Sequence, residues 1–467
     1  MRLFTRFRVP IVLSLLMVLA IGGALLGRSG LAAHAVGANI TLGPTSGPPT
    51  SVTTVSGTGF GPTESVNINF DAKSVGTATT DVNGAFTQKV KIPSNATPGK
   101  HTVTATGLTS GLTATATFLV QTNWSMFGFD PQHTHLNPYE NVIGTSTVSA
   151  LKVKWSLASG NIISSSPAEV NGIVYVGSQD GKLYALKEKS GKAMWSFATG
   201  AAISTSSAVA GGIVYIGSDD LNVYALDAIK GTLKWQFTVG GFVRSAPVVA
   251  NGVLYFGAQD GKLYALNANN GKLLWSYATG GPITSSPATH SGAVFVGSQD
   301  KNVYAINATS GTLKWHYATG NVVNSSPAVA NGIVYIGSTD NSLYALDELA
   351  GTLKWSFATG AAVNSSPAVD SKTVYVGSMD DKLYALDALL GTSKWSYTAG
   401  APIASSPTEA NGLVYFGSQG MKVYALTTST GALKWSYTTG GSVDSSPAVA
   451  DGYVFVGSAD FKLYTFH

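Results

Sequence analysis

The stretch NGIVYIGSTDNSLYALD, residues 331–347, decides the fold because the chain repeats it at a fixed interval. Related stretches begin at positions 171, 211, 251, 291, 371, 411 and 451, so that neighbouring copies are offset by 40 residues. A constant period of this size indicates one structural unit copied along the chain.

Each unit contains four short apolar runs, represented by SSPAVA, GIVYVGS, KLYALDA and LKWSFATG. The runs are rich in Val, Ile, Tyr, Phe and Trp and are separated by Gly and Asn-Gly, a pattern typical of antiparallel strands joined by tight turns. Four strands in about 40 residues is the size of a β-propeller blade. The sequence therefore predicts an all-β propeller of four-stranded antiparallel blades.

Two aromatic series give the number of blades and the way the ring closes. Eight tyrosines mark the third run, at positions 184, 224, 264, 304, 344, 384, 424 and 464. Eight tryptophans mark the fourth run: Trp155, Trp195, Trp235, Trp275, Trp315, Trp355, Trp395 and Trp435. The array opens on a fourth run and ends just after a third run, so we expect residues 151–157 to complete the blade built from residues 445–466. This predicts an eight-bladed propeller closed by strand exchange.

The repeated side chains are best explained by structure. We expect the tryptophans to be wedges in dry interfaces between blades, each donating its indole N–H to a backbone carbonyl. Seven units carry Asp between the second and third runs, and the remaining unit has Gly420. Regularity of this kind predicts Asx turns. The aspartates are Asp180, Asp220, Asp260, Asp300, Asp340, Asp380 and Asp460.

The first 35 residues are typical of an export signal. They hold three early arginines, an apolar run over residues 9–27 and the small-x-small triplet Ala33-His34-Ala35. The apolar run is also long enough to act as an uncleaved membrane anchor. Either alternative predicts that the rest of the chain lies outside the cytoplasm, secreted or at the cell surface.

Residues 36–120 differ in composition from the repeats, with short alternating runs of Thr, Val, Ser and Gly. Turn signals between these runs predict a small β-sandwich. The segments VSGTGFGPTESV, TDVNGAF and TPGKHTVTATG resemble immunoglobulin-like modules of bacterial surface proteins. Residues 121–150 form a connector, and residues 151–467 form the propeller.

Composition excludes several functions. Four of the 28 basic residues lie in the first 35 positions, which hold no acidic residue, so the remaining basic residues equal the 24 acidic ones in number. A balanced charge gives no electrostatic case for nucleic-acid binding. The chain contains no cysteine, which excludes disulfides, thiolate metal sites and cysteine nucleophiles.

The unit ALDAIKGTLKW, residues 225–235, with GSDDLNVYAL before it, resembles the repeat of the pyrroloquinoline quinone (PQQ)-type β-propeller superfamily. The resemblance covers about residues 122–467, including the entry segment NWSMFGFDPQHTH. It implies the propeller fold and leaves two functional classes open. One consists of calcium- and quinone-dependent dehydrogenases, and the other of non-enzymatic scaffolds such as the propeller lipoprotein of the outer-membrane β-barrel assembly machinery.

The chain departs from both classes. It lacks the vicinal cysteines of many of the dehydrogenases and the long functional insertions between strands, and it has no cysteine to carry a lipid. We therefore expect a non-enzymatic binding or scaffolding protein without a cofactor, acting as a monomer on a protein or glycan partner. A quinone- and calcium-dependent dehydrogenase is the alternative.

Two places are candidate sites. The residue at the start of the innermost strand varies around the ring, and these positions are expected to form a polar collar in the channel. Its most distinctive members, Arg244, Asn324, Asn364 and Asp444, are candidate ligand-binding residues. In the connector, His133 and His135 are a candidate metal pair, although no further ligand is near them in sequence.

Overall fold

The computed structural model describes residues 37–467, and almost all regular structure in that range is β-strand. One 3-10 helix, Val148–Ala150, precedes the propeller. No helix within residues 37–467 has the length and hydropathy needed to span a bilayer. The predicted export signal lies outside the described residues.

The amino-terminal domain is a sandwich of two sheets, as predicted. One sheet has the strand order β1-β3-β6 and the other β2-β8-β7-β4-β5. Val66, Ile68, Val103 and Phe118 alternate inwards and are fully buried between the sheets. The strands are β1 Asn39–Gly43, β2 Ser46–Gly47, β3 Val52–Thr58, β4 Ser65–Phe70, β5 Lys73–Thr79, β6 Phe86–Lys91, β7 Gly99–Gly107 and β8 Thr113–Val120.

The repeats form eight sheets of four antiparallel strands, here called blades 1 to 8 in chain order, and a short parallel strand of the connector adds a fifth strand to blade 7. The innermost strands are Ala168–Val170, Ala208–Ala210, Val248–Ala250, Ala288–His290, Ala328–Ala330, Ala368–Val369, Thr408–Ala410 and Ala448–Ala450. The second strands are Ile173–Gly177, Ile213–Gly217, Val253–Gly257, Ala293–Gly297, Ile333–Gly337, Thr373–Gly377, Leu413–Ser418 and Tyr453–Gly457. The third strands are Lys182–Lys187, Asn222–Asp227, Lys262–Asn267, Asn302–Asn307, Ser342–Asp347, Lys382–Asp387, Lys422–Thr427 and Lys462–Phe466. The outer strands of blades 1 to 7 are Ala193–Ala198, Leu233–Thr238, Leu273–Ala278, Leu313–Ala318, Leu353–Ala358, Ser393–Thr398 and Leu433–Thr438.

Strand exchange completes blade 8. Its outer strand is Val153–Ala158, which pairs antiparallel with Lys462–Phe466 and places Ser156 opposite Tyr464. The predicted closure is confirmed. Because the ends of the array lie in one sheet, the blade that would otherwise expose a hydrogen-bonding edge is complete.

Serines tie the blades together around the channel. The backbone N–H of Ser166 donates to the Oγ of Ser206 in the next blade at 2.9 Å, and Ser446 donates to Ser166 at 3.0 Å across the interface between blades 8 and 1. The same bond recurs between the other blades except after Ser206, because position 246 is Ala and offers no hydroxyl. Only the last residues of the SSPAVA run are strand. The serines before them form a ring of hydrogen bonds between blades.

All eight repeat tryptophans bridge neighbouring blades, as predicted. Each indole N–H donates to a backbone carbonyl of the following blade or of the segment that replaces it, at 2.6–3.2 Å. A glycine of the next blade lies against the ring: a Cβ on Gly191 would approach the Trp155 ring to 2.6 Å. The expectation of dry interfaces was too strong, because only Trp315 and Trp435 of the eight are buried, and each of these keeps 8% of its surface exposed. The rings lie on the outer strands, where one edge meets solvent.

The predicted Asx turns are confirmed in all seven units that carry the aspartate. Asp180 also accepts the N–H of Gly160 at 2.8 Å and the hydroxyl of Tyr184 at 2.6 Å, so it fastens the preceding loop to its own hairpin. In blade 7, where Gly420 replaces the aspartate, the Tyr424 hydroxyl donates to the Ala399 carbonyl.

The connector has a role that its sequence did not predict. Residues 124–137, called the plug from here on, cross one mouth of the channel and bond to the ends of seven innermost strands. Trp124 exchanges two backbone bonds with Glu169, and Leu136–Asn137 form a short parallel strand beside Glu409–Ala410. Further bonds join the plug to Val209, Thr289, Val329, Val369 and Val449. The plug thereby satisfies backbone groups that would otherwise face the channel.

Candidate binding surfaces

The collar residues lie at the opposite end of the innermost strands from the plug. Each innermost segment runs from its collar position to its plug contact, for example from Ser164 to Glu169. One mouth of the channel is therefore occupied by the connector, and the other is bordered by variable polar side chains.

Arg244 is the only basic member of the collar. Its guanidinium donates to both carboxylate oxygens of Asp219, at 3.0 and 2.8 Å, and it lies 5.3 Å from the centre of the Phe242 ring. The ion pair raises the pKa of Arg244 further above its usual value. A bidentate pair fixes the fork of the guanidinium and uses two of its five N–H donors.

Asn324 is the centre of a second group. Its Oδ1 accepts hydrogen bonds from Thr284 at 3.1 Å and from Gln299 at 3.2 Å, and its Nδ2 donates to Asn364 at 3.5 Å. These side chains come from blades 4, 5 and 6 and are partly exposed. They form a pre-oriented row of amides that can exchange hydrogen bonds with a polar ligand.

Asp444 stands apart from both groups and accepts a hydrogen bond from Gln419 at 3.1 Å. The four candidate residues thus share one mouth of the channel, but only Asn324 and Asn364 bond to each other. Sequence comparison of the repeats did not reveal their partners on the hairpins between second and third strands, which are Asp219, Gln299 and Gln419.

His133 and His135 are buried inside the plug, and both rings lie edge-on to Phe127 with centroids 5.3 and 4.8 Å from it. Burial lowers the pKa of His133 to about 3 and that of His135 well below its usual value, so both rings are neutral. Within the described residues, no third His, Asp or Glu lies close enough to complete a three-ligand metal site with them. Both rings pack against Phe127, and none of their four buried ring nitrogens has a hydrogen-bond partner among the described residues.

Sequence reasoning missed an apolar surface on the hairpins between third and outer strands. Leu349 in blade 5 is 73% exposed, and Leu389 and Leu390 in blade 6 are 61% and 70% exposed. These three residues, called the hairpin leucines from here on, lie in turns of adjacent blades on the side of the ring that carries the plug. The equivalent turn positions are Asn269 and Asn270 in blade 3 and Thr309 and Ser310 in blade 4. The signal was visible as apolar residues in a turn that is polar in blades 1, 3, 4 and 7, although blade 2 also carries an apolar residue there, Ile229, which is 60% exposed.

Comparison with known proteins identifies the family of the propeller. Residues 179–286, 279–406 and 399–467 each match the family PQQ_2, described as outer membrane protein assembly factor BamB. The chain belongs to this family. Residues 36–120 match the macroglobulin-like domain family, in agreement with the expected immunoglobulin-like sandwich. No curated protein matches the sequence.

Solved structures share the fold at low sequence identity. BamB from Moraxella catarrhalis aligns with a TM-score of 0.61 and 18% identity, covering 68% of this chain and 99% of that protein. The quinohemoprotein alcohol dehydrogenase from Comamonas testosteroni aligns with a TM-score of 0.66 and 17% identity, covering 74% and 80%. The computationally designed protein Ika8 aligns with a TM-score of 0.62 and 17% identity, covering 68% and 99%. These likenesses establish a PQQ-like propeller fold, which scaffolds, enzymes and designs share.

The collar does not fit pyrroloquinoline quinone. This cofactor is a polycarboxylate and requires cationic partners. The one basic collar residue, Arg244, is already paired with Asp219, and Asp444 adds a negative charge at the same mouth. A quinone bound there would find no unpaired cationic side chain in the collar.

Proposed function

We propose that the protein is a non-enzymatic, extracytoplasmic scaffold that binds a protein partner through the hairpin leucines of blades 5 and 6. The family description, an outer membrane protein assembly factor, supports a role in binding protein partners. The export signal expected from the sequence supports a location outside the cytoplasm.

The exposure of the hairpin leucines carries the proposal. Leu389 and Leu390 are neighbours in one turn, and their backbone N–H groups bond to the Asp387 side chain, which orders the turn. Asx turns of this kind need no apolar side chain at these positions, as the polar turns of blades 3 and 4 demonstrate. Exposed leucines on an ordered turn form a pre-organised apolar patch suited to a protein interface.

The collar supports a second, smaller site in the same protein. The hydroxyl of Thr284 and the amides of Asn324 and Asn364 offer donors and acceptors without net charge, which suits a neutral polar ligand such as a glycan hydroxyl cluster or a peptide backbone. We propose it only as an accessory site, because its side chains already form hydrogen bonds with one another, and a ligand would have to replace some of these bonds.

Affinity capture with paired variants tests the proposal. The purified protein, a Leu389→Glu/Leu390→Glu variant and an Asn269→Glu/Asn270→Glu variant are each used as bait in the extracytoplasmic fraction of the native organism. The last variant adds the same charges to the same turn of blade 3. Recovery of one protein by wild type and by the blade 3 variant, with at least tenfold less on the blade 6 variant, supports the proposal. Equal recovery on all three baits, or no recovered partner, contradicts it.

Enzyme activity is tested separately. The purified protein is melted with and without calcium plus pyrroloquinoline quinone, desalted, and examined for quinone absorbance. We expect no quinone retention. Stoichiometric retention with a raised melting temperature would overturn the scaffold proposal.

A further inference from the structure

Three carboxylates meet at the interface between blades 8 and 1, where the ring closes. Glu169 is the middle residue of the innermost strand of blade 1, Glu188 follows the third strand of blade 1, and Asp451 lies in the first hairpin of blade 8. One oxygen from each lies within 4.8 Å of the others. Glu169 is completely buried and Glu188 is 3% exposed. Buried like charges this close cannot all ionise without a compensating cation.

Two of these buried carboxylates have an oxygen without a partner. Glu169 accepts the N–H of Gly172 with Oε1 at 2.7 Å, whereas its Oε2 has no hydrogen-bond partner among the described residues. The Oε1 of Glu188 is likewise buried and unpartnered. Asp451, by contrast, accepts the N–H and hydroxyl of Thr122 at 2.6 and 3.0 Å. An unpaired buried oxygen is costly, so the two orphaned oxygens point to a missing ligand.

Blade 5 shows what the site in blade 1 lacks. Glu348 occupies the position of Glu188, and its Oε1 lies 2.6 Å from Nδ1 of His290 in blade 4. The residue of blade 8 that corresponds to His290 is Ala450, which offers no donor. The neighbouring Lys189 is exposed to solvent and only weakens the repulsion, while Glu140 adds to it.

We propose that Glu169, Glu188 and Asp451 bind a divalent cation of the calcium type at the closure of the ring. Carboxylate oxygens are the ligands preferred by hard cations, and the set contains neither sulfur nor nitrogen. A cavity of about 540 Å³ between the sandwich and the propeller, lined by Glu188 and Asp451 among others, provides an entry path and room for water ligands.

The cation would join three parts of the chain. Glu169 is bonded through its backbone to Trp124 of the plug, Asp451 is bonded to Thr122 at the exit of the sandwich, and Glu188 accepts the Trp155 indole through its carbonyl. Binding would therefore stabilise the strand-exchanged blade and the seating of the sandwich together. This site lies at the plug end of the channel and is distinct from the collar.

Calorimetric titration and thermal melts of the EDTA-treated protein test the site. We expect one calcium ion per chain and a melting temperature that rises with calcium. Glu169→Gln keeps the shape but cannot supply an anionic ligand, so it should bind calcium at least tenfold more weakly than wild type. Glu348→Gln is the matched control and should bind calcium like wild type.

The outcomes separate clearly. If calcium, magnesium and manganese at millimolar concentration neither release heat nor change the melting temperature, the proposal is wrong. It is also wrong if Glu169→Gln binds calcium as tightly as wild type. Loss of binding in Glu169→Gln alone, with Glu348→Gln unaffected, supports it, and none of these outcomes depends on the hairpin leucines.

Discussion

Blade 1 and blade 5 carry the same glutamate at the start of the same hairpin, Glu188 and Glu348, but the two hairpins have different surroundings. In blade 1 the turn continues with Lys189, and the sandwich lies beside it across the cavity. In blade 5 the turn continues with the exposed Leu349, and Glu348 is paired with His290. The backbones are equivalent, so the folding of a blade does not require either set of side chains. The difference places the sandwich beside the turn in the sector at blades 8 and 1, whereas the turns in the sector at blades 5 and 6 are exposed, as the proposed partner surface requires.

The largest expected effect concerns the plug at blade 1. Trp124 is 1% exposed and packs edge-to-face on Phe129 with ring centroids 5.2 Å apart. Trp124→Ala should lower the free energy of unfolding by about 3–5 kcal/mol, because it leaves a cavity at the closure of the ring. Denaturant unfolding measures the change.

Gln132→Ala, where the plug crosses blade 5, is the control. It keeps its backbone bond to Val329 and should lower the free energy of unfolding by about 0.5 kcal/mol or less. Equal losses would show that the two sectors contribute alike to stability.

The bridging tryptophans provide a matched pair in the two sectors. Trp155 donates to the carbonyl of Glu188 and Trp315 to that of Glu348. Trp315 is buried, with 8% of its surface exposed, whereas Trp155 is only partly buried. Trp315→Phe should cost about 1–3 kcal/mol because a buried carbonyl loses its donor, and Trp155→Phe should cost less because water can replace the indole. Denaturation midpoints of the two variants show which substitution lowers stability more. A larger loss in Trp155→Phe would contradict this account of the interfaces.

The pH dependence of stability tests the protonation state of Glu409 in blade 7. Glu409 occupies in blade 7 the strand position of Glu169, and burial, aided by Asp370, raises its pKa from 4.5 to about 8. The folded protein holds this proton at pH values where the unfolded chain has lost it. Its contribution to stability is therefore complete below pH 4.5 and is lost as the pH rises towards 8, at a slope of at most about 1.4 kcal/mol per pH unit.

Glu409→Gln should flatten this part of the pH profile, which thermal melts between pH 4.5 and 8.5 would reveal. Glu409→Ala is the control: it should flatten the same part but lower stability at every pH through the cavity it creates. An unchanged slope in both variants would mean that Glu409 is ionised in the folded protein.

The smallest effect on stability is expected at the hairpin leucines. Leu349→Ser and Leu390→Ser remove exposed apolar surface and no internal contact, so the free energy of unfolding should change by about 0.5 kcal/mol or less. Thermal melts measure this directly. A larger loss would assign these leucines to folding and would remove the main support for a partner surface.

The repeat determined how much of the fold could be predicted. The 40-residue period fixed the blades, and the phase difference between the Trp155 and Tyr464 series predicted strand exchange, because both depend on local pattern and on the need to pair every sheet edge. The plug could not be predicted in this way. It is irregular, and its partners lie up to about 300 residues away in sequence, as in the bond between Asn137 and Val449.

The candidate sites were predicted only in part, for a related reason. Comparing repeats showed which collar side chains vary, but their hydrogen bonds cross between blades, as in the pair Arg244 and Asp219. The acidic cluster combines Glu169 of the first blade with Asp451 of the last blade, and these two residues meet only because the ring closes. Such contacts follow from topology, and no local motif encodes them.

The most direct test of the central claim is site-specific photocrosslinking in cells of the native organism. A photoreactive amino acid replaces Leu390 of blade 6 or, as control, Asn270 at the equivalent position of blade 3. The account predicts one discrete protein adduct from position 390 and none from position 270. No adduct at 390, or the same adduct at both positions, would contradict the assignment of blades 5 and 6 as the partner-binding sector.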